Sequence, residues 1–166
     1  SPGRAKFGED AVAYDFARPA YGSELFDWLR ATCGLGPESN CVEIGAGTGH
    51  ATLPVLATPV RSLLAIEPDT ALGARLRDKA GADDRLTIVT ERFEKIDLQT
   101  GGYDFAFAAT SFHWLPRMKS LQRVRAALKP CGWFAMWWDV FHDPARPDAF
   151  DQASAHLFDG LEQDPE

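Results

Sequence analysis

The chain has 166 residues, 24 acidic and 17 basic, for a formal net charge of −7, and 45% of it is hydrophobic. That is the composition of one globular domain with a sizeable core. The acid excess argues against a nucleic-acid partner, and no apolar run approaches the roughly 20 residues a membrane-spanning helix needs. Cys33, Cys41 and Cys131 form no Cys-x-x-Cys pair, so they read as reduced thiols of a cytoplasmic protein, with neither a disulfide framework nor a metal site expected.

The first 22 residues are rich in aromatics and contain Tyr14-Asp15-Phe16-Ala17-Arg18-Pro19, where the residue before proline disfavours helix. They read either as an arm packed on the domain or as a flap over a ligand, with Tyr14 and Arg18 facing it. Residues 23–33 predict a helix with Leu25, Trp28 and Leu29 on its apolar stripe and Gly34 at its end.

The central stretch is Cys41-Val42-Glu43-Ile44-Gly45-Ala46-Gly47-Thr48-Gly49-His50. Val42 and Ile44 suit a short buried strand, and Glu43 stands near its carboxyl end. Three glycines then free a tight turn of Cβ atoms, so that a ligand can approach the main chain. A helix follows at 50–57. Strand, glycine turn and helix make the nucleotide-binding crevice of an open α/β sheet. The Gly-x-Gly-x-Gly spacing differs from the dinucleotide fingerprint, and no Gly-Lys-Ser/Thr follows for a phosphate. An acid beside the turn repels a pyrophosphate but accepts hydrogen bonds from an ammonium group, which favours a ligand with a cationic amino-acid end.

Residues 62–67 read as a second, fully buried strand. Its last residue, Glu67, lies about 20 residues past the glycine turn, where nucleotide sites of this kind place a carboxylate on the ribose hydroxyls. Asp69 caps an amphipathic helix that Gly81 ends. Residues 85–90 form a third strand, followed by Glu91-Arg92-Phe93-Glu94. Residues 103–109 form a fourth, with Thr110-Ser111-Phe112-His113-Trp114 at its carboxyl end, where open α/β sheets put their chemistry. A helix through Met118, Leu121, Val124 and Leu128 stops at Pro130-Cys131-Gly132; residues 133–138 make a fifth strand, and an amphipathic helix is expected within 147–161.

The glycine turn resembles the first motif of class I S-adenosylmethionine-dependent methyltransferases, commonly Glu-x-Gly-x-Gly-Thr-Gly. Glu67 matches that family's ribose-binding acid, and the Phe-His-Trp loop and the Leu-Lys-Pro-x-Gly-Trp run are also similar. The likeness points to the small-molecule branch, akin to ubiquinone and trans-aconitate methyltransferases. It implies a Rossmann-like, doubly wound, mostly parallel sheet with helices on both faces, forming one domain over residues 1–166. That fold usually has two further strands. The expectation is therefore of a truncated chain, with 143–166 starting a C-terminal segment and an apolar edge strand inclined to associate, for instance as a homodimer.

The resemblance implies methyl transfer from S-adenosyl-L-methionine to a small-molecule acceptor, with S-adenosyl-L-homocysteine as product. It carries cofactor-binding roles onto Tyr14, Arg18, Glu43, Gly45, Ala46, Gly47, Glu67, Pro68, Phe93, Glu94, Ala109 and Thr110. Arg92 stands where the family commonly has a short acid or serine beside the adenine, so Phe93 or Glu94 inherits that contact. Tyr14 and Trp114 offer aromatic faces to the sulfonium. His113 is the first candidate for a catalytic base and His142 a weaker one. The rival readings are an NAD(P)-binding oxidoreductase-like domain and a non-catalytic methyltransferase-fold binding or regulatory module.

Overall fold

A computed structural model describes residues 20–138. Tyr14, Arg18, His142 and the helix expected within 147–161 lie outside the described residues. Five strands, β1 (Asn40–Ile44), β2 (Ser62–Ile66), β3 (Leu86–Val89), β4 (Tyr103–Ala109) and β5 (Leu128–Trp137), form one sheet in the order β3-β2-β1-β4-β5. Every pairing is parallel. The chain runs outward from β1 to β3, then returns to the other side of β1 for β4 and β5. The carboxyl ends of β1 and β4 therefore flank the reversal of strand order, which is where an open α/β sheet has its crevice.

Alternation along the strands explains the two-sided core. Cys41, Leu63, Phe105 and Phe107 face α1 (Ser23–Cys33) and α2 (Thr52–Leu56) through Phe26, Leu29 and Val55. Val42, Ile44, Ile66, Ala106 and Ala108 face the other way, against Val124 of α4 (Arg117–Ala127), Phe93 and Phe112. Leu76 of α3 (Thr70–Ala80) packs on Ala65 and Ile88. Burying a Leu, Val or Phe side chain contributes about 1.5–3 kcal/mol, so these two layers are what hold the strand ends in place.

The expected helix ends hold where a side chain or a glycine sets them. Asp69 accepts from the Ala71 and Leu72 N–H groups at 2.8 and 3.1 Å, and Gly34 closes α1 with φ +66°. Three expectations change. In α1, Phe26 and Leu29 are buried while Trp28 is 61% exposed, so the stripe is rotated from the one expected. The helix after the glycine turn is only five residues, Thr52–Leu56. Pro130-Cys131-Gly132 is not a turn before β5 but a bulge inside it: Tyr103 pairs with Leu128 and Phe105 with Trp133, so β5 carries extra residues there and Cys131 takes φ +65°. A side chain at Gly132 would press on the Lys129 and Asp104 carbonyl oxygens, at 3.0 and 3.2 Å.

Candidate active site

The sheet's carboxyl edge opens into one cleft of about 520 Å³, within the range of small-molecule sites. Its lining includes Glu43, Gly45, Ala46, Gly47, Glu67, Pro68, Phe93, Ala109, Thr110 and His113, ten of the residues singled out from sequence. Glu94, half-buried on the short 3₁₀ turn Phe93–Lys95, does not line it.

The three glycines of the turn have three different reasons. Gly47, with φ +57°, donates its N–H to Glu67 Oε2 at 2.7 Å. Gly45, with φ +74°, lacks a Cβ because that atom would fall 2.5 Å from Ser111 Cβ. Gly49, with φ +95°, leaves room for Leu76 Cδ1, which would also be 2.5 Å away. Two of the three thus serve packing of neighbouring elements against the turn. Ser111 locks the same corner from the other side, donating its hydroxyl to the Ile44 carbonyl.

Glu67 stands just past β2 and is 5% exposed. Its two oxygens accept the Gly47 and Asp69 N–H groups, at 2.7 and 2.8 Å. These bonds tie the turn after β1 to the start of α3 and fix the carboxylate in the cleft wall. An ionised carboxylate offers about four acceptor sites, more than these two bonds use. Glu43 lies at the cleft floor, 1% exposed, and takes the Thr52 hydroxyl at 2.5 Å. Burial, with a smaller contribution from the Glu67 charge and against the Thr52 bond, pushes the Glu43 carboxyl up to about 8.

On the β4 side, Thr110 takes φ +52°, a left-handed conformation that is strained for a β-branched residue. It is held by its N–H on the Trp137 carbonyl at 2.8 Å and by the Tyr21 hydroxyl at 2.9 Å from Oγ1. His113 is exposed on the 3₁₀ turn Phe112–Trp114, with the Trp114 ring 4.8 Å away. The Trp138 indole N–H donates to His113 Nδ1 at 3.2 Å. In the neutral ring this assigns the proton to Nε2, and accepting a proton at Nδ1 requires the indole to move.

Sequence reading did not assign Tyr21, His50 or Ser111 to this cleft, and all three line it. His50 follows the last glycine of the turn and carried a weak local signal. Ser111 lay in the loop at the β4 carboxyl end but its partner is 67 residues away in sequence, and Tyr21, whose partner is 89 residues away, carried no local signal.

Residues 42–134 match the family model described as a methyltransferase domain. The chain is 24% identical over 144 residues to an uncharacterised methyltransferase of Schizosaccharomyces pombe, covering 81% of this chain and 52% of that protein. It is 29% identical over 132 residues to malonyl-[acyl-carrier protein] O-methyltransferase of Methylococcus capsulatus, covering 76% and 47%. Its fold is similar to that of a solved S-adenosylmethionine-dependent methyltransferase from Mesorhizobium loti, with TM-score 0.60 and 24% identity, over 69% of this chain and 52% of that one. The chain spans about half the length of the curated relatives it matches. This chain belongs to the methyltransferase-domain family, among the class I S-adenosylmethionine-dependent methyltransferases.

Proposed function

We propose that the cleft binds S-adenosylmethionine and that the chain takes part in methyl transfer to a small-molecule acceptor. The observation that carries this reading is the placing of Glu43 and Glu67 at neighbouring strand ends in one cleft, Glu67 bound by the Gly47 N–H of the glycine turn and Glu43 by the Thr52 hydroxyl. Among the described residues, the acids lining the cleft are Glu43, Glu67 and Asp69, against a single Arg or Lys, Arg92. Such a lining suits a cationic, phosphate-free nucleoside and repels the pyrophosphate of NAD(P).

When bound, the sulfonium supplies an already activated methyl group. The residues of this chain then have positioning work: Glu67 faces the sugar hydroxyls, Glu43 and the glycine turn face the amino-acid tail, and Phe93 offers an apolar wall to the base. Burial raises the Glu43 carboxyl to about 8, so an ammonium group that donates to it also favours its ionisation. Tyr21, Thr110, His113 and Trp114 flank the other end, beside the reversal of strand order. There a nucleophile aligned with the methyl group at about 3–3.5 Å is the main catalytic requirement. His113, with Nδ1 on Trp138, serves there as an Nε2 donor that orients the acceptor.

The test is thermal unfolding with S-adenosylhomocysteine or NADH. A ligand held at ~100 times its dissociation constant stabilises the folded state by about 2.7 kcal/mol. A rise in Tm with S-adenosylhomocysteine alone supports the reading; a rise with NADH alone supports the oxidoreductase-like alternative and contradicts it.

A further inference from the structure

This inference rests on the reading that the cleft takes S-adenosylmethionine, and it concerns the base. The sheet order β3-β2-β1-β4 sets the sequence of subsites along the carboxyl edge. With the amino-acid tail at the turn after β1 and the sugar at Glu67 after β2, the purine falls beyond β3, at Arg92 and Phe93. We propose that Arg92 reads the purine edge as a hydrogen-bond donor, so that the cleft accepts a 6-oxopurine nucleoside about as well as adenosine.

Four observations carry this. Among the described residues, Arg92 is the one Arg or Lys lining the cleft. It is exposed, and among the described residues its guanidinium makes no ion pair that binding would have to break. The acids of the lining sit elsewhere: Glu43 and Glu67 belong to the β1 and β2 ends, and Asp69 is committed to capping α3. Neighbouring Glu91 is outside the lining and is engaged by the Arg92 main-chain N–H at 2.8 Å and by Lys95 at 3.7 Å. Phe93 is buried, with the Arg123 guanidinium 5.4 Å from its ring centroid, so the wall beside Arg92 is closely packed.

The chemistry is one of matching donors to acceptors. A guanidinium has five N–H donors and no acceptor. The exocyclic amine of adenine is also a donor, so Arg92 finds only N7 on that edge. A 6-oxopurine presents O6 and N7 together, the pair that an arginine fork grips in guanine.

The experiment is calorimetric titration of the wild type, Arg92→Ala and Arg92→Glu with S-adenosyl-L-homocysteine and with S-inosyl-L-homocysteine. In the wild type the two dissociation constants should agree within about fivefold. Arg92→Ala should weaken the inosyl compound by roughly tenfold, the worth of one bidentate pair, and the adenosyl compound by much less. Arg92→Glu, which substitutes an acceptor for the donor, should turn the preference towards the adenosyl compound. Because Arg92 is exposed, both variants should melt as the wild type does. A wild type that prefers the adenosyl compound by more than that margin, or a ratio that Arg92→Glu leaves unmoved, would overturn the base assignment alone. Binding of neither compound would overturn the reading of the cleft, and the base assignment with it.

Discussion

The Tyr21 hydroxyl and Thr110 Oγ1 lie 2.9 Å apart across 89 residues of sequence, and they join the entry to α1 to the end of β4. Thr110 holds φ +52° at the cleft edge, a conformation that costs on the order of 1–3 kcal/mol for such a residue. Tyr21 is itself held edge-on to Trp137, with ring centroids 5.8 Å apart. Tyr21→Phe should therefore lower unfolding stability by about 1 kcal/mol, the net worth of a typical hydrogen bond. Thr110→Gly loses the same bond but relieves the strain. In that background Tyr21→Phe should cost clearly less than in the wild type. Denaturant titration of the four proteins measures this coupling; additive losses would contradict it.

Glu43 gives a pH dependence whose sign is fixed by burial. Its folded value of about 8 lies above the ordinary 4.5, so the folded state prefers the protonated acid. The stability tied to this group is full below pH 4.5 and is lost as pH rises through about 8. Glu43→Gln keeps an acceptor for the Thr52 hydroxyl and removes the ionisation. The variant should melt above the wild type at alkaline pH and show a flatter Tm profile across that window. A wild-type stability that climbs over the same range would contradict the assignment.

The same carboxyl links binding to protons. If an ammonium group is drawn to ionised Glu43, binding S-adenosylhomocysteine at neutral pH should release protons to the buffer. Calorimetry in buffers of differing ionisation enthalpy reads the release directly. Heats independent of buffer would show that Glu43 stays neutral when the cleft is occupied.

The glycine turn tests the division of labour among its residues. Gly45→Ala sets a Cβ 2.5 Å from Ser111 Cβ at φ +74°, so it combines a core clash with left-handed strain and should cost roughly 2–4 kcal/mol. Ser111→Gly in the same chain should recover the steric part and leave about 1–2 kcal/mol of backbone strain. Equal stabilities for Gly45→Ala with and without the second change would mean that Ser111 does not set this corner.

Much of this site could be read from sequence because local chemistry fixed it. Val42, Ile44, Leu63 and Ile66 form short buried runs that only central strands satisfy, and the positions of Glu43 and Glu67 follow from where those strands end. Asp69 and Gly34 announced helix boundaries that the structure retains. Trp28 was misread because Leu25 and Trp28 satisfy helical spacing equally well when the direction of the sheet is unknown. The β5 bulge was misread because Pro-Cys-Gly is a turn signal wherever strand pairing does not override it. Tyr21 and Ser111 joined the cleft through contacts made by the tertiary fold, and spacing along the chain does not encode these.

His113 and Trp138 form a positioning pair in this account. With an acceptor that supports turnover, His113→Ala should lower the rate well below wild type and leave S-adenosylhomocysteine affinity nearly intact. Trp138→Phe removes the 3.2 Å bond at Nδ1 and lets either ring nitrogen carry the proton. It should cost less than His113→Ala and alter the pH profile of turnover. Unchanged turnover in His113→Ala would remove the residue from the mechanism.

The central claim is that Glu67, clamped by the Gly47 and Asp69 N–H groups, grips the sugar of a sulfonium nucleoside. The direct measurement is a calorimetric titration of the wild type and Glu67→Gln with S-adenosylhomocysteine. One saturable site in the wild type, weakened by roughly tenfold or more in the variant through loss of a charge-assisted acceptor, is the predicted result. A wild type that takes up no S-adenosylhomocysteine, or a variant that binds it as tightly as the wild type, would contradict the claim.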